Sequence, residues 1–281
     1  ENALMPSQAQ AGFRESEWNI VRGYRNELVN MMNWDQTQRN AQLEPWLVTM
    51  GYKISYSTFI DEFGVEKSTL YAIYHVPKGD DTEAMVLISP WLTENGKLNI
   101  NGMGVTLGLG QYLHRLSIWA KNVILVFPDN GKQDLRQWVD AYHTSLDHTG
   151  GSLESAIILE HPSTSDHMSH IEIDYAGVNG QLPNLDLVNT AILVARHEGF
   201  KISINHTPYE QLRSDDIFGR ITSLFSGIID LASAGSIKWT DVQSMSGWNV
   251  QTITIRGVGN DGPDVTVLGR IVESTFRSVN N

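Results

Sequence analysis

The sequence predicts an α/β protein with three layers, in which helices cover both faces of a central, mixed and mostly parallel sheet. Short apolar segments of strand composition alternate with segments of helical periodicity through the middle of the chain. The clearest strand, at residues 122–127 (NVILVF), is apolar throughout, which is typical of a strand buried on both faces. The turn PDNG follows it, and apolar residues at helical spacing come next. We expect the fold to be organised around this strand, turn and helix.

The first part of the chain predicts two helices and a strand hairpin. Residues 7–32 and 36–50 carry apolar side chains three and four positions apart, as amphipathic helices do. Gly51 is a natural end for the second helix. Strand composition at residues 52–59 and 69–76, on either side of a turn that contains glycine, then predicts an antiparallel pair.

The rest of the chain continues the alternation of strands and helices. Further strands are predicted at residues 84–89, 155–160, 168–175 and 250–256, and further helices at residues 102–114, 185–197, 217–234 and 265–279. Four glycines in the helix at 102–114 would let that helix lie close against the sheet. The segment HIEIDY at 170–175 alternates apolar and polar residues, so we expect a half-exposed strand near an edge. Residues 235–247 are expected to form a loop.

Composition limits the kinds of function that are open to this chain. A length of 281 residues suits one large α/β domain, and we expect residues 1–281 to form a single soluble domain. Because 32 acidic residues outnumber 20 basic ones, a nucleic-acid or anionic-membrane surface is not expected. The chain has no Cys, which excludes disulfides, thiol nucleophiles and Cys-type zinc sites. It begins with Glu and ends just after an amphipathic helix, so we expect a domain excised from a longer protein.

Carboxylates that follow predicted strands are the strongest candidates for chemistry. Asp129 and Glu160 each close a buried strand, and Glu94 lies in the loop after an earlier strand. Because the carboxyl ends of parallel strands meet at one edge of a sheet, these acids are expected to converge there. Asp261 and Asp264, in the loop after residues 250–256, could join them. The alternative is that each acid caps a turn or the first turn of a helix.

The other patterns are weaker. Residues 102–108 (GMGVTLG) only loosely resemble a dinucleotide-binding motif, and helix packing is the better interpretation of these glycines. Neither a G-x-S-x-G elbow nor a P-loop occurs. Histidines form two groups that could in principle bind metal, but helix capping and solvent exposure explain them better. These groups are His143 with Asp147 and His148, and His167 with His170.

Several long and unusual segments are spread over essentially the whole chain. They are RESEW (14–18), TEAMVL (82–87), WVDAYHTSLDHTGGS (138–152), NGQLPNLDLVN (179–189) and LGRIVESTFRSVNN (268–281), together with ENALMP at the start. In these segments the chain resembles the lumenal domain of the GPI anchor attachment (Gaa) subunit family of GPI transamidase. The resemblance implies a fold similar to zinc aminopeptidases, and a position on the lumenal side of the endoplasmic reticulum membrane. It also implies flanking membrane helices outside this sequence.

The same resemblance permits a test for the zinc ligands of aminopeptidases, position by position. Where such enzymes have His-x-Asp, this chain has Ser89-Pro90-Trp91, and where they have an Asp before the next helix it has amides around Asn99 and Asn101. Asp129-Asn130 offers one carboxylate in place of paired Glu, and Glu160 keeps the fourth position. No His stands near Asp264, at the fifth. Because two zinc ions need about three ligands each and a base, no peptidase activity is expected.

The resemblance therefore favours a non-catalytic subunit domain that requires no cofactor. Its expected partners are other GPI transamidase subunits, including the caspase-like catalytic subunit, and the proprotein C-terminal signal or the GPI lipid. A residual site for one zinc, magnesium or calcium ion, made from Glu94, Asp129, Glu160 and Asp264, is a further hypothesis. An active metal-dependent hydrolase and a purely structural ectodomain are the alternatives. Trp91, Trp239 and Trp248 are candidate contact residues, and Asn205 lies in a glycosylation sequon.

Overall fold

A computed structural model describes residues 12–116, 118–175, 185–204, 207–208 and 241–280 of the chain. The predicted helix at 217–234, Trp239 and Asn205 lie outside the described residues. In the described part the strands are β1 (Lys53–Ile60), β2 (Glu66–Tyr74), β3 (Glu83–Ile88), β4 (Asn122–Phe127), β5 (Ser152–Glu160), β6 (His170–Asp174), β7 (Lys201–Ile204), β8 (Thr207–Pro208) and β9 (Gln251–Val258).

These strands form one mixed sheet in the order β1-β2-β4-β3-β5-β9-β6-β7-β8. Its centre, β4-β3-β5-β9, is parallel throughout. On one side β1 and β2 form the predicted antiparallel hairpin, and β2 runs antiparallel to β4. On the other side β6 pairs antiparallel with β9 and parallel with β7. The strands at the centre are the apolar segments that the sequence marks as buried on both faces.

The helices lie on both faces of this sheet. In the described residues they are α1 (Trp18–Asn30), α2 (Gln36–Thr49), α3 (Ile100–His114), α4 (Gly131–Thr144), α5 (Leu185–His197), α6 (Asp241–Ser246) and α7 (Thr266–Val279). One apolar core joins the sheet to α1, α2, α3, α5 and α7, and a second core on the opposite face joins it to α4 and α6. The three-layer α/β/α architecture is therefore confirmed. No helix in the described ranges combines the length and apolar character needed to cross a membrane.

The glycines of α3 allow close packing, but mainly against another helix. An added Cβ at Gly108 would lie 2.7 Å from Cγ2 of Val21 in α1, and one at Gly104 would lie 3.3 Å from the Val21 carbonyl oxygen. Only Gly110 faces the sheet, where a Cβ would lie 2.7 Å from Leu125. The predicted close approach to the sheet is thus correct for one turn of α3, whereas Gly104 and Gly108 fit α3 against α1 and Gly102 lies against the side chain of Asn99.

Two local predictions were wrong, and two short strands were not predicted. β6 does not lie at an edge but between β9 and β7. Glu172, in the middle of β6, is buried and forms an ion pair with Arg256 of the neighbouring β9. The expected loop at 235–247 contains α6. The short strands β7 and β8 were not expected, since they have four and two residues and carry little pattern.

A buried ion cluster at the carboxyl edge of the sheet

Glu160 ends β5 at the carboxyl edge of the parallel strands and is completely buried. Its neighbour across the sheet is Arg256 of β9, which pairs with Glu160 on one side and with Glu172 of β6 on the other. The guanidinium Nε of Arg256 donates a hydrogen bond of 2.7 Å to Oε2 of Glu160. Its Nη1 donates to Oε2 of Glu172 at 3.2 Å and to Oδ2 of Asp174 at 3.1 Å. One cation from the chain therefore binds three carboxylates from two neighbouring strands.

Burial and charge act in opposite directions within this cluster. Burial raises the pKa of Glu160, and the nearby Arg256 opposes that rise by stabilising the carboxylate. Burial would lower the pKa of Arg256, but the three acids together raise it above its ordinary value. Arg256 is thus a permanent cation, and its charge is what compensates the buried carboxylates.

Glu94 adjoins Glu160, and its negative charge contributes to the raised pKa of that residue. The Glu94 carboxylate accepts a hydrogen bond of 2.9 Å from the backbone N–H of Asp241, the first residue of α6. Asp241 is itself buried and lies against Gly131, where an added Cβ would come 2.0 Å from Oδ2 of Asp241. Glu94 therefore joins the loop after β3 to α6, beside the cluster.

Asp129 does not take part in this cluster. Its carboxylate forms an ion pair with Arg39 of α2, and its Oδ2 lies 3.7 Å from Nζ of Lys67 in β2. Arg39 also stacks over the ring of Trp91 at 4.4 Å, which leaves that tryptophan buried. Nor does Asp129 cap the following helix, because Oδ2 of Asp134 accepts the N–H groups of residues 129 and 130. The two cations beside Asp129, Arg39 and Lys67, come from α2 and from the antiparallel β2, and the sequence pattern does not show that these elements lie next to it.

Asp264 acts at the start of α7 and also lies outside the cluster. Its Oδ1 accepts a hydrogen bond of 2.7 Å from the N–H of Thr266, and its backbone forms a β-bridge with His167. Asp261 is exposed, and its N–H donates to Ser169 Oγ at 3.3 Å. The structure therefore brings Glu94 and Glu160 together and gives Asp129 and Asp264 other partners. In the described ranges, no three His, Cys, Asp or Glu residues are arranged to hold a metal ion.

Two buried asparagines stabilise the loops at this edge. Asn99 donates through Nδ2 to the carbonyl oxygens of Pro90 and Leu159 at 3.0 and 2.9 Å, and its Oδ1 accepts from the N–H of His161 at 2.7 Å. Asn101 donates to the carbonyl oxygens of Ser163 and Ser165, both at 2.7 Å. At the positions where the aminopeptidase resemblance would require zinc ligands, these two side-chain amides instead form hydrogen bonds with backbone groups.

Arg256 and the buried His161 are two residues of this edge that the acids at the strand ends do not point to. The ring of His161 makes a 2.9 Å contact from Nδ1 to the carbonyl oxygen of Gly257, and burial lowers its pKa. The available signals were an Arg at the end of a predicted strand and a His directly after a buried strand. His143 stacks on Trp248 with ring centres 4.5 Å apart, and its Nδ1 lies 2.8 Å from the Val139 carbonyl oxygen.

The arrangement of the sheet and helices defines the class of protein as one with the fold of zinc exopeptidases and glutaminyl cyclases. The glutaminyl cyclase of Porphyromonas gingivalis superposes with a TM-score of 0.61 at 14% identity, covering 96% of this chain and 99% of that one. A Zn-dependent exopeptidase from Parabacteroides distasonis gives 0.57 at 9% identity, covering 93% and 96%. LapB from Legionella pneumophila gives 0.63 at 10% identity, covering 98% and 74%. Identities this low establish the fold alone.

Sequence comparison then identifies the family. The model of the family described as Gaa1-like, GPI transamidase component, matches residues 66–281, and this chain belongs to that family. It is 47% identical to the GPI transamidase component GAA1 of Saccharomyces cerevisiae over 281 residues, which cover 100% of this chain and 45% of the relative. It is 26% identical to gaa1 of Schizosaccharomyces pombe, covering 100% and 51%. The chain thus spans about half the length of the curated relatives it matches, and the resemblance seen in its sequence segments is confirmed.

The residues at this edge do not fit the zinc ions implied by the fold class. Of the two carboxylates retained from the expected ligand set, Glu160 is bound by Arg256 and Asp129 is paired with Arg39. A guanidinium next to the ligand position repels a divalent cation, since both carry positive charge. Asn99 and Asn101 are engaged with backbone groups. Among the residues that the structure describes, no three potential ligands are grouped at this edge to hold a metal ion.

Proposed function

We propose that this chain is a non-catalytic, peptidase-like domain of a GPI transamidase subunit. In this role it supports the attachment of GPI anchors to proprotein C-termini by binding partner subunits, the proprotein or the GPI lipid. Family membership and the 47% identity to a GPI transamidase component support the assignment to that complex. The observation that carries the non-catalytic assignment is the ion cluster, in which Arg256 binds Glu160, one of the two carboxylates retained from the expected ligand set.

The chemistry of anchor transfer then belongs to another subunit. Cleaving the proprotein through a covalent intermediate requires an activated nucleophile, and the caspase-like subunit would supply a cysteine for it. This chain contains no Cys and therefore cannot provide that nucleophile. Its contribution is to hold partners in position, which is a binding role.

The proposed location follows from the same assignment. The chain would lie on the lumenal side of the endoplasmic reticulum membrane, as a single domain tethered by membrane segments of the full-length protein. The net charge of −12 makes direct binding to anionic headgroups unfavourable, so its contacts in that location are expected to be with proteins or with the neutral part of a glycolipid.

An aminopeptidase assay with added zinc tests the non-catalytic assignment. We expect the purified protein to show no turnover above a buffer control, and metal analysis to find well under one zinc per chain. The Glu160→Gln variant should be equally inactive, and Asp129→Asn serves as a matched carboxylate change outside the cluster. Robust turnover that Glu160→Gln abolishes would establish the alternative, a metal-dependent hydrolase. A stoichiometric ion that Glu160→Gln removes, without turnover, would instead support the residual single-ion site at Glu94 and Glu160.

A further inference from the structure

The outermost strand on one side of the sheet, β1, presents an open edge. It pairs with β2 in an unbroken register from Lys53 opposite Ile73 to Ile60 opposite Glu66. Within the described part of the chain, no other strand pairs with β1. In an antiparallel ladder, every second residue points its N–H and C=O away from its partner strand. This edge therefore carries a row of main-chain donors and acceptors that can bind another strand.

β1 lacks the features by which proteins usually prevent edge pairing. It has no proline and no bulge over its eight residues, and its only charged residue is Lys53 at the start. Lys53, Tyr56, Thr58 and Ile60 are exposed. A long, regular and nearly uncharged edge is expected to associate with another chain unless something covers it.

The turn at the end of this edge exposes large apolar side chains in a fixed conformation. Ile60 is 72% exposed, Phe63 is 85% exposed and Val65 is 52% exposed. Asp61 holds the turn, since its Oδ1 accepts from the N–H of Phe63 at 2.9 Å and from that of Val65 at 2.8 Å. The apolar tip is therefore presented by an ordered turn, beside the open edge.

The charges around the tip indicate the chemistry of the partner. Glu62 and Glu66 flank Phe63 and are exposed, whereas Lys67 is turned towards Asp129. A partner with Lys or Arg next to an apolar residue would complement this tip. A second copy of the chain would bring another net charge of −12, and anionic lipid would be repelled by the same acids.

We propose that the edge of β1 binds an extended segment of a partner subunit, which adds a tenth strand to the sheet. The segment forms main-chain hydrogen bonds with β1, places an apolar side chain against Ile60 and Phe63, and places a basic residue near Glu62 and Glu66. This inference rests on the proposed function, because it requires that the chain work within a multi-subunit complex.

Hydrogen exchange on the full-length protein, alone and in the purified transamidase complex, tests this assignment. In the protein alone, the β1 amides that face away from β2 should exchange quickly, and those bonded to β2 slowly. In the complex the outward amides should slow by at least tenfold. Co-purification of the unmodified protein with the other subunits is the first readout, and its failure would refute the proposed function. Co-purification with unchanged exchange at β1 would refute only the edge assignment.

Charge substitutions at the tip give an independent test with a matched control. Phe63→Lys in the full-length protein should reduce recovery of the other subunits by tenfold or more, whereas Leu193→Lys, on α5 and 62% exposed, should leave it unchanged. Equal recovery for both variants would overturn the proposal. So would protection of β1 that appears with neutral phosphatidylcholine vesicles alone, which would indicate a membrane. Protection that rises with the concentration of the protein alone would indicate a second copy and would equally overturn it.

Discussion

At the scale of single residues, Arg256 is the main determinant of what this edge of the sheet can do. Its guanidinium is within hydrogen-bonding distance of Glu160, Glu172 and Asp174, all in a region where water is largely excluded. Uncompensated charges in such surroundings are strongly unfavourable, so the acids and the cation depend on each other. The cluster thus makes Glu160, which the aminopeptidase resemblance marks as a ligand position, part of the folded core.

Replacing Arg256 with methionine should destabilise the protein strongly. Removing one partner of a buried ion pair leaves uncompensated charge, and losses of about 3–5 kcal/mol are typical. Urea unfolding followed by circular dichroism would measure the change in the free energy of unfolding. Arg22→Met is the control, because Arg22 is half exposed, lies 4.0 Å from Asp166 and should contribute less than about 1 kcal/mol. Similar losses in the two variants would contradict the role given to the cluster.

The sequence shows these residues but does not show which of them contact each other. The sequence predicts a strand that ends at Arg256, whereas β9 continues to Val258 and places Arg256 between Glu160 and Glu172 of its two neighbouring strands. Glu172 and Asp174 fitted a solvent-facing strand, because alternation does not distinguish water from a buried cation. The bonds from Arg256 to Glu160 and Glu172 span 96 and 84 residues, and no local pattern specifies contacts of that kind. Positions at strand ends were predictable, but their partners were not.

At the scale of elements, the contact between α1 and α3 depends on the absence of side chains. Gly108 faces Val21 so closely that a Cβ would lie within 2.7 Å of its methyl group. Gly23 in α1 is exposed, and a Cβ added there would have nothing within 4 Å. The two glycines therefore lie in helices that contact each other, but of these two only Gly108 is required by the packing.

Substituting these two glycines should have opposite effects. Gly108→Val should lower the free energy of unfolding by about 1–3 kcal/mol, because extra volume in a packed contact forces the helices apart. Gly23→Ala should raise it by about 0.5–1 kcal/mol, since alanine restricts the unfolded chain and suits a helix interior. Thermal and urea unfolding of both variants would measure these changes. A neutral Gly108→Val would show that α1 and α3 are not tightly packed there.

The long elements were predictable because each carries a complete periodic pattern. The helix at 185–197 and the buried strand at 122–127 have the bounds that the sequence indicated. α6 has six residues and β7 has four, too few to establish a period. The position of β6 was missed for a different reason, since strand order depends on pairing between distant segments. The local sequence thus determines whether a segment is a helix or a strand, but it does not determine which strands lie next to each other.

At the scale of the whole molecule, one continuous sheet connects the described residues from β1 to β8. Its hydrogen bonds cross the molecule without a break, and both apolar cores contact it. The fold class could be predicted from the alternation of elements, and the family from long sequence segments. The role of the domain within a complex could not be obtained from either, since binding surfaces depend on which residues remain exposed after folding.

A continuous sheet of this kind should unfold as one unit. We expect urea transitions measured by circular dichroism and by tryptophan fluorescence to coincide in midpoint and slope. Trp119 and Trp138 are buried on opposite faces of the sheet and would report on both cores. Two separate transitions would show that the chain contains more than one domain, contrary to our expectation for residues 1–281.

The register that sets Arg256 between Glu160 and Glu172 also affects how this protein matures. The positive charge at this edge is the guanidinium of Arg256, so every chain carries one such charge, and it is in place as soon as β9 joins the sheet. No loading step, delivery factor or ambient ion supply is needed to neutralise these acids, and a chelator has nothing to extract from the ion pairs. The cluster is completed by folding alone.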